Sequence, residues 1–187
     1  IGAGVTLRNP RNIVIGDNVA IDDYSIIDAK GDSCAGIEIG HDVFISRNVI
    51  VSCKDGGIVI GNNITIGANT IIHSVAESTV KVGDYTMIAA NCYLIGTAPY
   101  FRDRTDIPMM EQGLEPGKGV VIERDVWLGA GAMIADGAIV REGVSIGALS
   151  FVRGEIPAYS IAAGQPATVR RNRKDSRTDF DTPPTIR

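Results

Sequence analysis

An aliphatic residue returns at every sixth position in groups of three: Ile39, Ile45 and Val51, then Ile60, Ile66 and Ile72, then Val82, Ile88 and Leu94. The beat resumes at Ile122, Leu128, Ile134, Val140, Ile146 and Val152. An amphipathic helix needs apolar residues three and four apart and a half-buried strand needs alternation, so neither produces a period of six. Short strands joined by tight corners and stacked turn upon turn do produce it, each aliphatic side chain resting on its copy one turn away. Within a hexad the next residue is often Gly or another small or polar residue, and a small or β-branched residue stands four after the aliphatic. Ile39-Gly40-His41-Asp42-Val43-Phe44 and Ile66-Gly67-Ala68-Asn69-Thr70-Ile71 are two such units. Gly, Asn and Asp tolerate the left-handed backbone that sharp corners impose. Three hexads therefore close one triangular coil, and the chain is predicted to be all-β, a parallel solenoid.

This arrangement resembles the left-handed parallel β-helix of the hexapeptide-repeat transferases, and the likeness runs from Ile1 to about Val169. The left hand is implied by that resemblance alone, because general crossover rules favour the right hand. The expected organisation is one β-helix domain over residues 1–170, with a loop insertion at 96–118. A polar tail, 171–187, carries no repeat and little apolar material and reads as flexible.

Composition fits a β-rich repeat: apolar residues make up 44% of the chain, mostly as Ile and Val, and 22 glycines serve its many corners. A formal net charge of −4 argues against a nucleic-acid partner. No apolar run approaches the ~20 residues that span a bilayer and no signal peptide is visible, so a cytoplasmic protein without a transmembrane segment is expected. Cys34, Cys53 and Cys92 fall in three different coils without paired metal spacing, which points to reduced thiols rather than to a disulfide framework or a metal site.

The beat pauses at residues 28–38, 52–59, 73–81 and 95–121. Each pause follows the third aliphatic of a triplet, so in a three-sided coil all four leave from one corner. Val51, Ile72 and Leu94 should then share a column with strands ~4.8 Å apart, their loops side by side. Working sites on solenoids are usually built from such insertions. The longest of them has the Pro, aromatic and Met content of an ordered loop.

Two C-terminal stretches, Asp125-Val126-Trp127-Leu128-Gly129-Ala130-Gly131-Ala132 and Pro157 to Ala167, look like the acetyl-CoA-binding end of sugar and serine O-acetyltransferases. That resemblance implies acetyl-CoA as acyl donor, a homotrimer, and three shared sites in grooves between neighbours. It implies cofactor contacts at Trp127, Gly129, Ala130, Ala148 and Ala163, with Arg153 and Arg170 near the phosphate-bearing adenosine end. Small residues also keep a wall low enough for a thin acyl arm, and guanidinium groups suit phosphate.

Acyl transfer to a hydroxyl needs a general base. In the family that base is a His in the long loop, and the loop here has none; the whole chain holds only His41 and His73. His41 occupies a hexad corner. His73 directly follows Ile72 on the insertion corner, and its segment resembles the His-bearing turn of sialic-acid-type and bacillosamine N-acetyltransferases, so His73 is the candidate catalytic base. Glu77, Asp84, Asp103 and Asp106 are carboxylates that could orient it or replace it. The stretch from Asp106-Ile107-Pro108 to Glu111-Gln112-Gly113 looks like the loop of polysaccharide O-acetyltransferases. The expected activity is therefore acetyl transfer to a sugar or nucleotide-sugar hydroxyl or amine in bacterial surface polysaccharide biosynthesis. The alternative is a non-catalytic trimeric scaffold. A γ-class carbonic anhydrase would need three imidazoles around zinc, one more than the chain has.

Overall fold

Residues 1–32, 34–97 and 100–175 are described by a computed structural model of the chain. The hexads form three parallel sheets, the sides of a prism. The first runs from Thr6–Arg8 to Phe151–Val152, the second from Ile13–Ile15 to Glu155–Ile156, and the third from Ala20–Ile21 upward. Every strand pairs with its copy one coil away, so Ile27, Val51, Ile72 and Leu94 stand in one column. Ile45, Ile66, Ile88 and Leu128 form the corresponding column on the third sheet. All the hexad aliphatics from Ile39 to Val152 are at most 2% exposed. The residues four after them line the same core, among them Val43, Val49, Ile64, Val126 and Val144.

Between those two inward positions the chain must turn, and it does so through the left-handed region. Asp42, Asn48, Asn63, Asn69, Asn91 and Asp125 all have φ between 54° and 61°. Side-chain amides stack along one corner: Asn48 donates to Asn69 at 3.4 Å and Asn69 to Asn91 at 3.3 Å.

The pauses all lie at the corner between first and second sheets, one above another, but in the first three most residues are strand rather than loop. Ile26–Lys30, Ile50–Lys54 and Ile71–Val75 are five residues long, and Gly36–Ile39 and Gly57–Ile60 are four. Pleating makes alternate residues face inward, so each lengthened strand adds one core residue. Ala29, Cys53 and Ser74 pair in one extra column, and Ile37, Ile58, Val80 and Val120 in another. These coils are therefore drawn out toward one edge.

Only the last pause holds a long loop, which leaves the strand Tyr93–Gly96 and returns at Val120–Ile122, one residue past the expected boundary at each end. It is folded on itself: the Phe101 N–H donates to the Gly113 carbonyl at 2.9 Å, and the Gln112 amide donates to the Arg104 carbonyl at 2.8 Å. Its return is pinned where the Lys118 and Gly119 N–H groups donate to the Asp136 carboxylate, the latter at 2.7 Å. Gly119 has φ +76°, and a Cβ there would sit 2.2 Å from the Thr79 carbonyl oxygen, so no other residue fits.

The last strand runs two residues past the expected end of the β-helix at residue 170. Arg171 and Asn172 belong to the strand Ala167–Asn172, which folds back antiparallel on Ser160–Gly164 and closes the third sheet. Lys174 sits 3.8 Å over the Tyr159 ring. The remainder of the tail, 176–187, lies outside the described residues.

Replacing Ile72 by Ala should cost about 3 kcal/mol of unfolding free energy, since it empties one rung of a packed column. Urea denaturation measures this, and a loss within experimental error would mean that the column is not packed.

Candidate functional site

Ile72 and Ser74 point into the core, so alternation turns His73 outward on the first sheet. The positions in register with it are Asp28, Ser52 and Ile95, giving an outward column beside the insertion corner. His73 Nδ1 lies 3.1 Å from the Ser52 carbonyl oxygen and 3.1 Å from Ser52 Oγ. A carbonyl only accepts, so the contact with the Ser52 carbonyl is a hydrogen bond in the tautomer protonated on Nδ1, whereas the Ser52 hydroxyl can serve either tautomer. In the Nδ1–H form the neutral ring presents an unprotonated Nε2, the form a general base requires. Asp28, only 3% exposed, is satisfied by Lys30 Nζ at 3.0 Å and Asn9 Nδ2 at 3.3 Å. Ser52 and Asp28 were not singled out by the sequence reading, although each directly follows an inward aliphatic, as His73 does.

One strand above His73, Ile95 lines a cleft of about 390 Å³ together with Thr97, Glu115, Pro116, Lys118 and Asp136. This cleft lies at the root of the long loop, next to the His73 column. Thr97 Oγ1 is buried there without a hydrogen-bond partner among the described residues.

The other candidate bases lie elsewhere or are engaged. His41 Nδ1 accepts from the Asp17 N–H at 2.9 Å, within the corner between second and third sheets. Asp84 accepts from the Asn62 N–H at 2.7 Å on that same corner. The Arg104 guanidinium holds the Asp106 carboxyl below its usual range, which weakens it as a proton acceptor. Glu77 and Asp103 are exposed.

Most of the expected cofactor contacts gather at the corner between third and first sheets. Gly129 and Ala130 stack under Gly147 and Ala148, and these under Ala163: a Cβ on Gly129 would meet the Ala148 nitrogen at 2.5 Å, and one on Gly147 the Ala163 Cβ at 2.9 Å. Arg170 joins them, its Nη2 donating to the Ala163 carbonyl at 3.3 Å. The bare strip continues downward through Ala89-Ala90 and Gly67-Ala68. Trp127 stands on the adjoining third-sheet face, half exposed, in a cleft of about 350 Å³ shared with Met87, Ser145, Arg171 and Arg173.

Arg153 does not belong to this group. It follows Val152 at the end of a first-sheet strand and so leaves from the insertion corner, exposed and on the opposite edge of that sheet from Arg170. Nearness in sequence to the C-terminal coils suggested the grouping; within a single protomer, the corner each residue leaves from sets Arg153 and Arg170 apart.

Residues 119–154 match the family profile described as bacterial transferase hexapeptide (six repeats). The chain is 31% identical over 140 residues to "Probable acetyltransferase Rv3034c" of Mycobacterium tuberculosis, covering 75% of this chain and 45% of that protein, so it spans less than half of that relative. It is 33% identical over 145 residues to YJL218W of Saccharomyces cerevisiae, provisionally designated an acetyltransferase, covering 72% of this chain and 73% of that one. Among solved structures it resembles a variant of AntD, an N-acyltransferase from Bacillus cereus, in complex with dTDP-4-amino-4,6-dideoxyglucose and coenzyme A. The TM-score is 0.69 at 26% identity, over 87% of this chain and 84% of that one. The solenoid is thus a left-handed β-helix of about seven turns.

Nitrogen NMR of histidine-labelled protein should find neutral His73 protonated on Nδ1. Protonation on Nε2 instead would show that Ser52 does not hold the ring in the form a base needs.

Proposed function

Because this chain belongs to the bacterial hexapeptide-repeat transferases, we propose that it transfers an acetyl group from acetyl-CoA to a hydroxyl or amine of a sugar or nucleotide sugar. The observation that carries this reading is the strip of Gly and Ala running from Gly67-Ala68 to Ala163-Gly164 along one corner. Five stacked coils at ~4.8 Å spacing leave ~19 Å of low wall, bordered by Asn69, Asn91 and Leu149. A thin acyl arm fits such a wall, with backbone amides within reach, and Arg170 stands at its upper end, where phosphates would be received. The half-exposed Trp127 on the adjoining third-sheet face offers a stacking surface.

Acetyl-CoA supplies the acyl carbon as a thioester. This chain's own part is to hold the acceptor in the cleft beside Ile95 and Thr97 and to remove its proton at His73 Nε2. The Ser52 carbonyl then stabilises the imidazolium through Nδ1–H. The complex of AntD with a dTDP-amino sugar supports a nucleotide-sugar acceptor, and assembly of surface polysaccharide in the cytoplasm is the setting this proposal adopts.

His73 and the bare strip flank opposite edges of the first sheet, so a complete site needs a second copy. The outer face of that sheet carries Ile26, Ile50, Ile71, Tyr93, Met133 and Phe151 in one register column, an apolar stripe suited to contact with a neighbour. A closed homotrimer with head-to-tail contacts sets each strip against the next protomer's His73.

His73→Ala should lower turnover by ~10²-fold or more with nearly unchanged acetyl-CoA affinity. Undiminished turnover eliminates His73 as base. Ala148→Trp should block the strip and weaken acetyl-CoA binding in calorimetry while thermal unfolding stays near that of the unmodified chain; unaltered binding would put the arm on another surface. Refolding the two variants together should restore activity, since about one interface in four would then combine an intact His73 with an intact strip. No recovery would contradict a shared site.

A further inference from the structure

The three cysteines lie in different coils, but stacking brings two of them together. Cys53 is fully buried in the strand Ile50–Lys54, and Cys34 is half-buried in the turn before Gly36–Ile39. Their Sγ atoms are 3.1 Å apart, and both are free thiols. The Gly36 N–H donates to Cys34 Sγ at 3.3 Å, and Cys34 Sγ lies 3.3 Å from the Gly56 carbonyl oxygen, so the sulfur is held facing its partner. A disulfide needs ~2.05 Å between sulfurs. The remaining ångström falls to Cys34, because it sits on a turn while Cys53 is fixed in the ladder.

We propose that Cys34 and Cys53 form a dithiol site that a low-molecular-weight disulfide, such as oxidised glutathione, converts into an intramolecular disulfide across the insertion corner. The Cys34 thiolate attacks the oxidant's disulfide, forming a mixed disulfide and releasing one thiol. The Cys53 sulfur then attacks Cys34 Sγ, gives its proton to solvent, and releases the second thiol. The two cysteines are oxidised by two electrons and one oxidant disulfide is reduced to two thiols.

The order of attack follows from access. Burial pushes the Cys53 thiol up to about 12, and hydrogen bonding and charge from Cys34 push in the same direction. Cys53 is thus inert until Cys34 has been capped, at which point the Cys34 negative charge is gone. The product ties the strand that carries Ser52, under His73, to the preceding turn. Cys92, buried and 3.3 Å from the Gly129 carbonyl oxygen, serves as an internal control.

The test is to incubate the native full chain with oxidised glutathione, alkylate in denaturant, and map peptides by mass spectrometry. Two of the three thiols should become unavailable, with loss of two hydrogens, a Cys34–Cys53 cross-linked peptide and full reversal by dithiothreitol. Cys53→Ser should stop at a glutathione adduct on Cys34, and Cys34→Ser should leave Cys53 alkylatable. Three alkylatable thiols, a lone adduct on unmodified chain, or cross-links between chains would overturn the proposal. The readout involves no acyl transfer, so its outcome is separable from that of the proposed reaction.

Discussion

Everything in this protein depends on aliphatic side chains resting on their copies one coil away. Each fully buried Ile, Val or Leu contributes roughly 1.5–3 kcal/mol relative to exposure, and here these residues lie in unbroken columns along three faces. Such packing requires every coil to turn alike at its two regular corners, which is why Asn, Asp and Gly recur where the backbone enters the left-handed region. Extra residues can then leave only where the coil tolerates being drawn out, and all of them leave from one corner. A site built on this scaffold is fixed in register by the core beneath it.

The triangular coil was legible because its signal is redundant: every turn repeats the same spacing. The single insertion corner was legible for the same reason, as every pause follows the third member of a triplet. The length of the strands beside that corner was not. Their added inward residues include Ala29, Cys53 and Ser74, small or polar side chains that sequence reasoning assigns to loops. The closing strand Ala167–Asn172 was missed because it pairs antiparallel through a tight hairpin and shows no sixfold period.

The candidate site was legible in part. His73 drew notice as one of two histidines on a suggestive corner, but what holds it is Ser52, one coil below and 21 residues earlier in the chain. Counting one position past each inward aliphatic would have found that partner. The same counting, applied to Val152, would have sent Arg153 to the insertion corner. In a solenoid, the place of a residue within its coil says more about its neighbours than its distance along the chain does. The contact between Cys34 and Cys53 follows the same logic.

The most direct measurement is a crystal structure of the full chain with coenzyme A. The pantetheine arm is expected along the corner from Ala163 down toward Gly67-Ala68, its sulfur approaching His73 of a neighbouring copy. An arm lying on another face, or a sulfur bordered by residues other than His73, would contradict the account.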